Sequence, residues 1–290
     1  MINDKLNIVF FGTSEFAVPA LEILIRENYN IVAVITAPDK PAGRKKTLSP
    51  SPVKLKAESL SLKVLQPATL KDEVIFENFK NLNPDLCVIA AYGKIIPKKF
   101  LDVPRHGFLN IHPSLLPKYR GPSPVQTAIL DGATQTGVTI IVVDEEVDHG
   151  PILESRKWKV ESGKRYKELE KELAELGAKL LIETLPKYVS GKVKPVPQDH
   201  SQATFTRMFT REDGRINWDN SPDKIYNQIR ALNPEPGAWT VWKDKVLNIK
   251  KAKLIDEKLK LEIVQMEGRK EVPFKEFLNG YPDFNLLKLK

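Results

Sequence analysis

Sulfur and histidine are scarce in this chain of 290 residues, which has one cysteine, Cys87, and four histidines, His106, His112, His149 and His200. A lone cysteine forms no internal disulfide, and no Cys/His cluster has the spacing of zinc ligands, so a reducing compartment and no metal are expected. Long apolar runs are also lacking, since no stretch approaches the ~20 residues of a membrane span. The opening MINDKLNIVFFG puts Asp4 and Lys5 before a short apolar run, unlike the longer apolar stretch of a signal peptide. A cytoplasmic protein with no membrane partner is expected. Internal repeats and low-complexity tracts are absent.

What is present is a composition of 41% hydrophobic and 28% charged residues, near the average for globular proteins and far from disordered or collagenous chains. The length suits one large or two modest domains. The net charge of +8 is uneven: between Asp39 and Lys56 the cations Lys40, Arg44, Lys45, Lys46, Lys54 and Lys56 face Asp39 alone, so this segment carries +5. Its Pro and Gly spacing prevents a helix and displays long cations, a pattern that suits a phosphate backbone and also an ordinary solvated surface.

The first half alternates β-branched runs with helical patterns, which predicts βαβ units on a mostly parallel sheet. Strands are expected at residues 6–11 (LNIVFF), 31–36 (IVAVIT), 85–91 (DLCVIAA), 107–111 (GFLNI) and 138–143 (VTIIVV), mostly apolar throughout as in strands buried on both faces. Ser14 is expected to cap a helix running through Leu21 and Leu24. From near Ser162 the spacing of Tyr166, Leu169, Leu173, Leu176 and Leu180 predicts a helix lying over the sheet. Pro186, Gly191, Pro195 and Pro197 then interrupt regular structure. The expected domains are residues 1–195, a linker at 196–206, and a smaller β-rich domain at 207–290. In that domain the pattern predicts a helix at 223–231, a turn at 233–237, and strands at 246–249, 259–265 and 271–273.

Gly12 follows the first strand where a dinucleotide-binding protein has Gly-x-Gly-x-x-Gly, and the single glycine disfavours such a cofactor. The richest chemistry lies just after a central strand, in Asn110-Ile-His112-Pro-Ser114-Leu-Leu-Pro117-Lys-Tyr-Arg120-Gly121. Residues there project toward the crevice at the carboxyl ends of strands. Asn110 and His112 are two apart on an extended chain and share a face, one an amide donor and the other a titrating imidazole. The run 138–143 leads into Asp148, and a carboxylate leaving a neighbouring strand at the same end of the sheet reaches His112. Each residue taken singly also fits a structural strand end or an acidic turn. Jointly they fit acyl transfer: a donor for a carbonyl oxygen, a proton-transfer group and its orienter.

In these residues the chain resembles the methionyl-tRNA formyltransferase family. The resemblance runs through FFGTSEFAVPALE, APDKPAGRKKTLSPSPVK, AAYGKIIP, NIHPSLLPKYRGPSPVQTAILDG, the Asp-x-Gly of VDHGPIL, DGRINWDNSPDKIYNQIRALNPEPGAWT and LEIVQMEGRKEVPFKEFLNG. It implies a Rossmann-like α/β formyltransferase domain followed by a small OB-like domain. It further implies 10-formyltetrahydrofolate as formyl donor and methionyl-initiator tRNA as acceptor, in a monomer that uses no metal. By matching position, Asn110, His112 and Asp148 inherit the catalytic roles, Ser114, Leu115, Leu116 and Pro117 the folate contact, and Arg44, Lys45 and Lys46 the tRNA contact.

One departure stands out. After Val246 the chain passes directly through KLIDEKLKLEI and omits the Gly-rich middle strands usual in the family, so an OB-like domain that is shortened is expected. The rival readings are an N-formyltransferase acting on a nucleotide-linked amino sugar, and a non-catalytic RNA-binding relative.

Overall fold

Strands that are mostly apolar must be covered on both faces, and that is how they stand in a computed structural model, which describes residues 6–42 and 47–285. The chain divides into two units. One is drawn from residues up to Gly121 with Thr136–Trp158 and Glu170–Phe205, the other from Pro122–Gln135, Lys159–Leu169 and residues from Thr206 onward.

In chain order the elements are β1 (Asn7–Gly12), α1 (Val18–Arg26), β2 (Asn30–Ile35), β3 (Lys40–Ala42), β4 (Thr47–Ser49), α2 (Pro52–Ser59), β5 (Val64–Leu65), α3 (Glu73–Lys80), β6 (Leu86–Ala90), α4 (Lys98–Leu101) and β7 (Phe108–His112). There follow α5 (Pro124–Leu130), β8 (Gln135–Val142), β9 (Ile152–Lys159) and α6 (Tyr166–Val189). A seven-stranded sheet has the order β5-β2-β1-β6-β7-β8-β9. Pairing is parallel from β5 to β7, and β8 runs antiparallel to β7. Strand order reverses at β1, the kind of switch point where a doubly wound sheet opens a crevice at its carboxyl ends.

The core of this unit is aromatic on one face. Phe11 lies 5.4 Å from Phe108, and Phe79 lies 4.8 Å from Phe100, all fully buried. On the other face α6 rides close over the sheet at Gly177, where an added Cβ would stand 2.6 Å from Ile111 and 3.2 Å from Val138. The small residue thus brings the helix down onto the strand that carries Asn110 and His112.

The second unit contains α5, α7 (Pro222–Leu232), and an antiparallel sheet of β10 (Ala238–Trp242), β11 (Lys245–Ile255), β12 (Lys258–Met266) and β13 (Val272–Pro273), followed by α8 (Phe274–Gly280). Ile225 and Ile229 of α7 pack with Leu247, Ile249 and Val264 of the sheet. β10 joins β11 through Lys243 and Asp244, and β11 joins β12 through Asp256 and Glu257, each pair at positive φ, as two-residue hairpins require. This tight meander is the form the shortened β-rich domain takes. Trp242, Phe277, Tyr281 and Phe284 gather against it as an aromatic cluster.

Several expectations need correction. The Ser14 side chain caps nothing: its backbone carbonyl accepts from Ala17 in a 3₁₀ turn, and α1 begins only at Val18, with Pro19 in the first turn where a missing N–H costs little. Pro186 does not end the helix, because it falls in the last turn of α6 beside buried Thr184 and Leu185, and its carbonyl still accepts from Ser190. The stretch after residue 195 is no open tether: Val196 bridges Ile152, Phe205 bridges Arg120, and Gln198 is buried. β5, β9, β10 and the β3/β4 pair escaped the sequence reading. β9 alternates exposed charges with half-buried residues, and β3 and β4 have three residues each.

Candidate active site

Asn110 and His112 both lie on β7, in register with Ile141 and Thr139 of β8. Because β8 is antiparallel to β7, its carboxyl end lies at the opposite end of the sheet from His112, contrary to the expectation of a shared end. Asp148 reaches the site by a returning loop. Val142 donates its N–H to the carbonyl of Pro151 at 2.9 Å, closing that loop at its base. A Cβ on Gly150 would stand 1.8 Å from the carbonyl oxygen of Val142, so only glycine lets the chain turn back this tightly. This is the physical content of the Asp-x-Gly pattern. Asp148 itself is held at φ +50°, a conformation that aspartate tolerates better than most residues.

The returning loop makes one carboxylate the hub of three donors or ring atoms. Asp148 Oδ1 accepts from the Asn110 side-chain amide at 3.1 Å and lies 3.4 Å from His112 Nδ1. Its Oδ2 accepts the backbone N–H of Gly121 at 2.8 Å. The other ring nitrogen of His112, Nε2, lies 2.9 Å from the carbonyl of Tyr119. Side-chain exposure is 5% for His112 and 11% for Asp148, so the pair is largely shielded from water and its interactions are correspondingly stronger. One ring nitrogen of His112 is hydrogen-bonded to the Tyr119 carbonyl while the other faces the Asp148 carboxylate, and Asn110, whose amide carries two N–H groups, spends one on Asp148.

The loop 113–120 is fixed by its own bonds. The hydroxyl of Ser114 is fully buried and donates to the carbonyl of Lys118 at 2.6 Å, while its carbonyl accepts from the Thr139 hydroxyl at 2.7 Å. Thr139 in turn accepts the N–H of Leu116 at 3.2 Å. Leu115 lies over Gly137, its Cδ2 2.5 Å from where a Cβ would be. Ser114 therefore shapes the loop, with Leu116 buried beneath it and Leu115 and Pro117 left partly exposed as its apolar surface. Beside it, at the carboxyl ends of β1 and β6, Thr13 donates its hydroxyl to the Tyr92 carbonyl at 3.2 Å. Burial pushes the Tyr92 phenol up to about 12.

The structure thus brings together Asn110, His112 and Asp148, and sets Ser114, Leu115, Leu116 and Pro117 in the adjoining loop. Arg44, Lys45 and Lys46 lie outside the described residues. Among the described residues no group of three His, Cys, Asp or Glu side chains suits a metal ion, and no helix is long and apolar enough to cross a membrane. The sequence reading missed the carbonyl of Tyr119 and the N–H of Gly121. Backbone groups carry no side-chain signature, and the only hint was a rigid, Pro-rich loop leading to them.

Residues 6–185 match the formyl transferase family, and residues 208–260 match the formyl transferase C-terminal domain. A methionyl-tRNA formyltransferase of Chloroflexus aurantiacus is 48% identical over 247 residues, covering 85% of this chain and 80% of that protein. One of Caldicellulosiruptor saccharolyticus is 42% identical over 304 residues, covering 95% and 97%. The crystal structure of an N-formyltransferase from Helicobacter canadensis, in complex with folinic acid and dTDP-3-aminofucose, has the same fold, with a TM-score of 0.69, 20% identity and coverage of 92% and 98%. With its three polar groups converging on one strand end and likeness of this extent along nearly its whole length, the chain belongs to the formyl transferase family, among the methionyl-tRNA formyltransferases.

Proposed function

We propose that this protein transfers a formyl group from 10-formyltetrahydrofolate to the amino group of methionyl-initiator tRNA, in the cytoplasm where translation runs. The observation that carries this reading is the convergence of Asn110, His112 and the shielded carboxylate of Asp148 at one strand end. The acceptor is argued from sequence, where identity to methionyl-tRNA formyltransferases reaches 48%.

The neutral amine attacks the formyl carbon, the carbon–nitrogen bond to the folate breaks, and the proton lost by the amine ends on the folate nitrogen. Oxygen of the formyl group gains negative charge along the way. The second N–H of Asn110, the one not given to Asp148, and the ring of His112 stabilise that charge, and Asp148 fixes both groups in position and accepts or relays the proton. Because Asn110 is already bonded to the carboxylate and His112 already stands 3.4 Å from it, little reorganisation is needed when substrate enters. The loop of Ser114, Leu115, Leu116 and Pro117 supplies the folate contact, with Ser114 holding the loop's shape from within and the apolar residues toward the ligand. Arg44, Lys45 and Lys46 meet the phosphates of the tRNA acceptor end.

A nucleotide-linked amino sugar is the second reading, favoured by the fold likeness to the Helicobacter canadensis enzyme. At 20% identity that likeness speaks to fold alone. The deciding experiment offers the purified protein and formyltetrahydrofolate either methionyl-initiator tRNA or a nucleotide amino sugar and reads the acceptor's mass. A formyl gain on methionyl-tRNA alone, abolished by His112→Ala, supports the proposal. A gain on the amino sugar alone overturns it, and folate binding with no transfer to either points to a non-catalytic relative.

A further inference from the structure

Asp148 is held from a second direction, by side chains that the mechanism above does not use. Gln198, buried at 5% exposure, donates its side-chain amide to the backbone carbonyl of Asp148 at 2.9 Å and to that of Gly150 at 2.7 Å. Its side-chain oxygen accepts from Arg120 at 3.2 Å (Nε) and 2.7 Å (an Nη). The orientation of this amide is fixed by chemistry, because the two carbonyls can only accept and the guanidinium can only donate. Arg120 is 3% exposed, and its guanidinium also lies 2.8 Å from Nδ1 of His200, whose ring stacks on His149 at 4.1 Å. Arg120 is anchored through its backbone as well, donating its N–H to the Thr204 carbonyl at 2.8 Å.

The two ends of this arrangement meet on one residue. Gly121, next in the chain to Arg120, donates its N–H to the carboxylate of Asp148, while Arg120 acts through Gln198 on the backbone of the same aspartate. The aspartate so gripped sits at φ +50°, where an L-residue persists only if its surroundings hold it. A wrong backbone setting there would swing the carboxylate away from both Asn110 and His112.

We infer that Gln198 and Arg120 are positioning residues for the reaction, a clamp that sets the backbone of Asp148 and through it the carboxylate. The stretch 196–205 is then part of the catalytic apparatus. This rests on the reading of Asp148 as a working member of the site. Gln198 and Arg120 are themselves buried and act on Asp148 through its backbone, which makes them positioning residues.

The test uses the full-length protein with Gln198→Glu and Gln198→Met, alone and combined with Asp148→Asn, assayed for kcat and KM on methionyl-tRNA and formyltetrahydrofolate. Gln198→Glu keeps an acceptor for Arg120 and loses both donors to the 148 and 150 carbonyls. Gln198→Met keeps the approximate shape and loses every bond. Should Gln198→Met fail to fold, Gln198→Glu carries the test. The expected result is a kcat lower by roughly 10–100-fold with KM values changed less than about twofold, as for misplacement of a catalytic group by about 1 Å. In the Asp148→Asn background the Gln198 variants should cause no further loss, because residues acting through one another are not additive. Three results overturn the clamp: unchanged kcat, a loss confined to KM or thermal stability, or full additivity with Asp148→Asn. If Asp148→Asn alone keeps wild-type turnover, it is the reading of Asp148 that fails, and the clamp falls with it.

Discussion

The side-chain amide of Asn110 and the ring of His112 share one oxygen of Asp148, at 3.1 Å and 3.4 Å. Neither group is placed independently: removing Asn110 costs that oxygen its hydrogen bond, and removing His112 takes away the ring that faces it. Asn110→Ala and His112→Ala are each expected to lower kcat by at least about 10², within the ~10²–10³ for loss of an oxyanion donor or the ~10²–10⁴ for loss of a positioned acid/base group. Steady-state formyl transfer, with circular dichroism to confirm folding, checks this. Near-wild-type turnover in either variant removes that residue from the mechanism.

Gly150 sets the return of the loop that delivers Asp148. A Cβ there would meet the Val142 carbonyl oxygen at 1.8 Å and the Asp144 nitrogen at 3.3 Å, backbone atoms that cannot rotate aside. Gly150→Ala must displace the loop, costing roughly 1–3 kcal/mol as overpacking does. Turnover is expected to fall roughly 10²-fold with the shifted carboxylate. Thermal melting and kcat on the same preparation are the measurements, and a variant with wild-type values for both would mean the loop has another way round.

How much of this was open to a reader of the sequence follows from how local each signal is. β1, β2, β6 and β7 were legible because strands buried on both faces are mostly apolar, and the helix at Tyr166 because its leucines recur at helical spacing. Asn110 and His112 were legible as a pair because period two is a property of any strand. The direction of β8 was not, since apolar runs of parallel and antiparallel strands look alike, and with it went the true route to Asp148. Gln198 was hidden for another reason. It stands among prolines and polar residues that read as linker, and only the fold shows it closing on carbonyls 48 and 50 positions away.

The basic segment gives a prediction that needs no view of its shape. If Arg44, Lys45 and Lys46 each meet a phosphate, replacing all three by alanine flattens the slope of log affinity against log salt by up to about 0.9 per contact on duplex backbone, or about 0.7 on single strands. KM for methionyl-tRNA should rise at physiological salt while KM for the folate stays the same. Filter binding across a salt series reads the slope. An unchanged slope would assign these cations to an ordinary solvated face.

Tyr92 offers a test of the core beside the site. Its ring packs 5.3 Å from Phe11, and its buried hydroxyl has no hydrogen-bond partner among the described residues. An unpaired buried hydroxyl costs about 1–3 kcal/mol, so Tyr92→Phe should be at least as stable as wild type at pH 7. Burial raises the phenol to about 12, above its ordinary value of 10.0. A group whose pKa is raised by folding contributes stability that is complete below its unfolded pKa and lost as pH climbs through the folded one. Wild type therefore weakens additionally between pH 10 and about 12 as Tyr92 becomes able to ionise on unfolding. The phenylalanine variant lacks this sensitivity, and the difference in melting temperature should widen across that window. A lower melting temperature for Tyr92→Phe at pH 7 would show instead that the hydroxyl is bonded in solution, with a trapped water as the simplest partner.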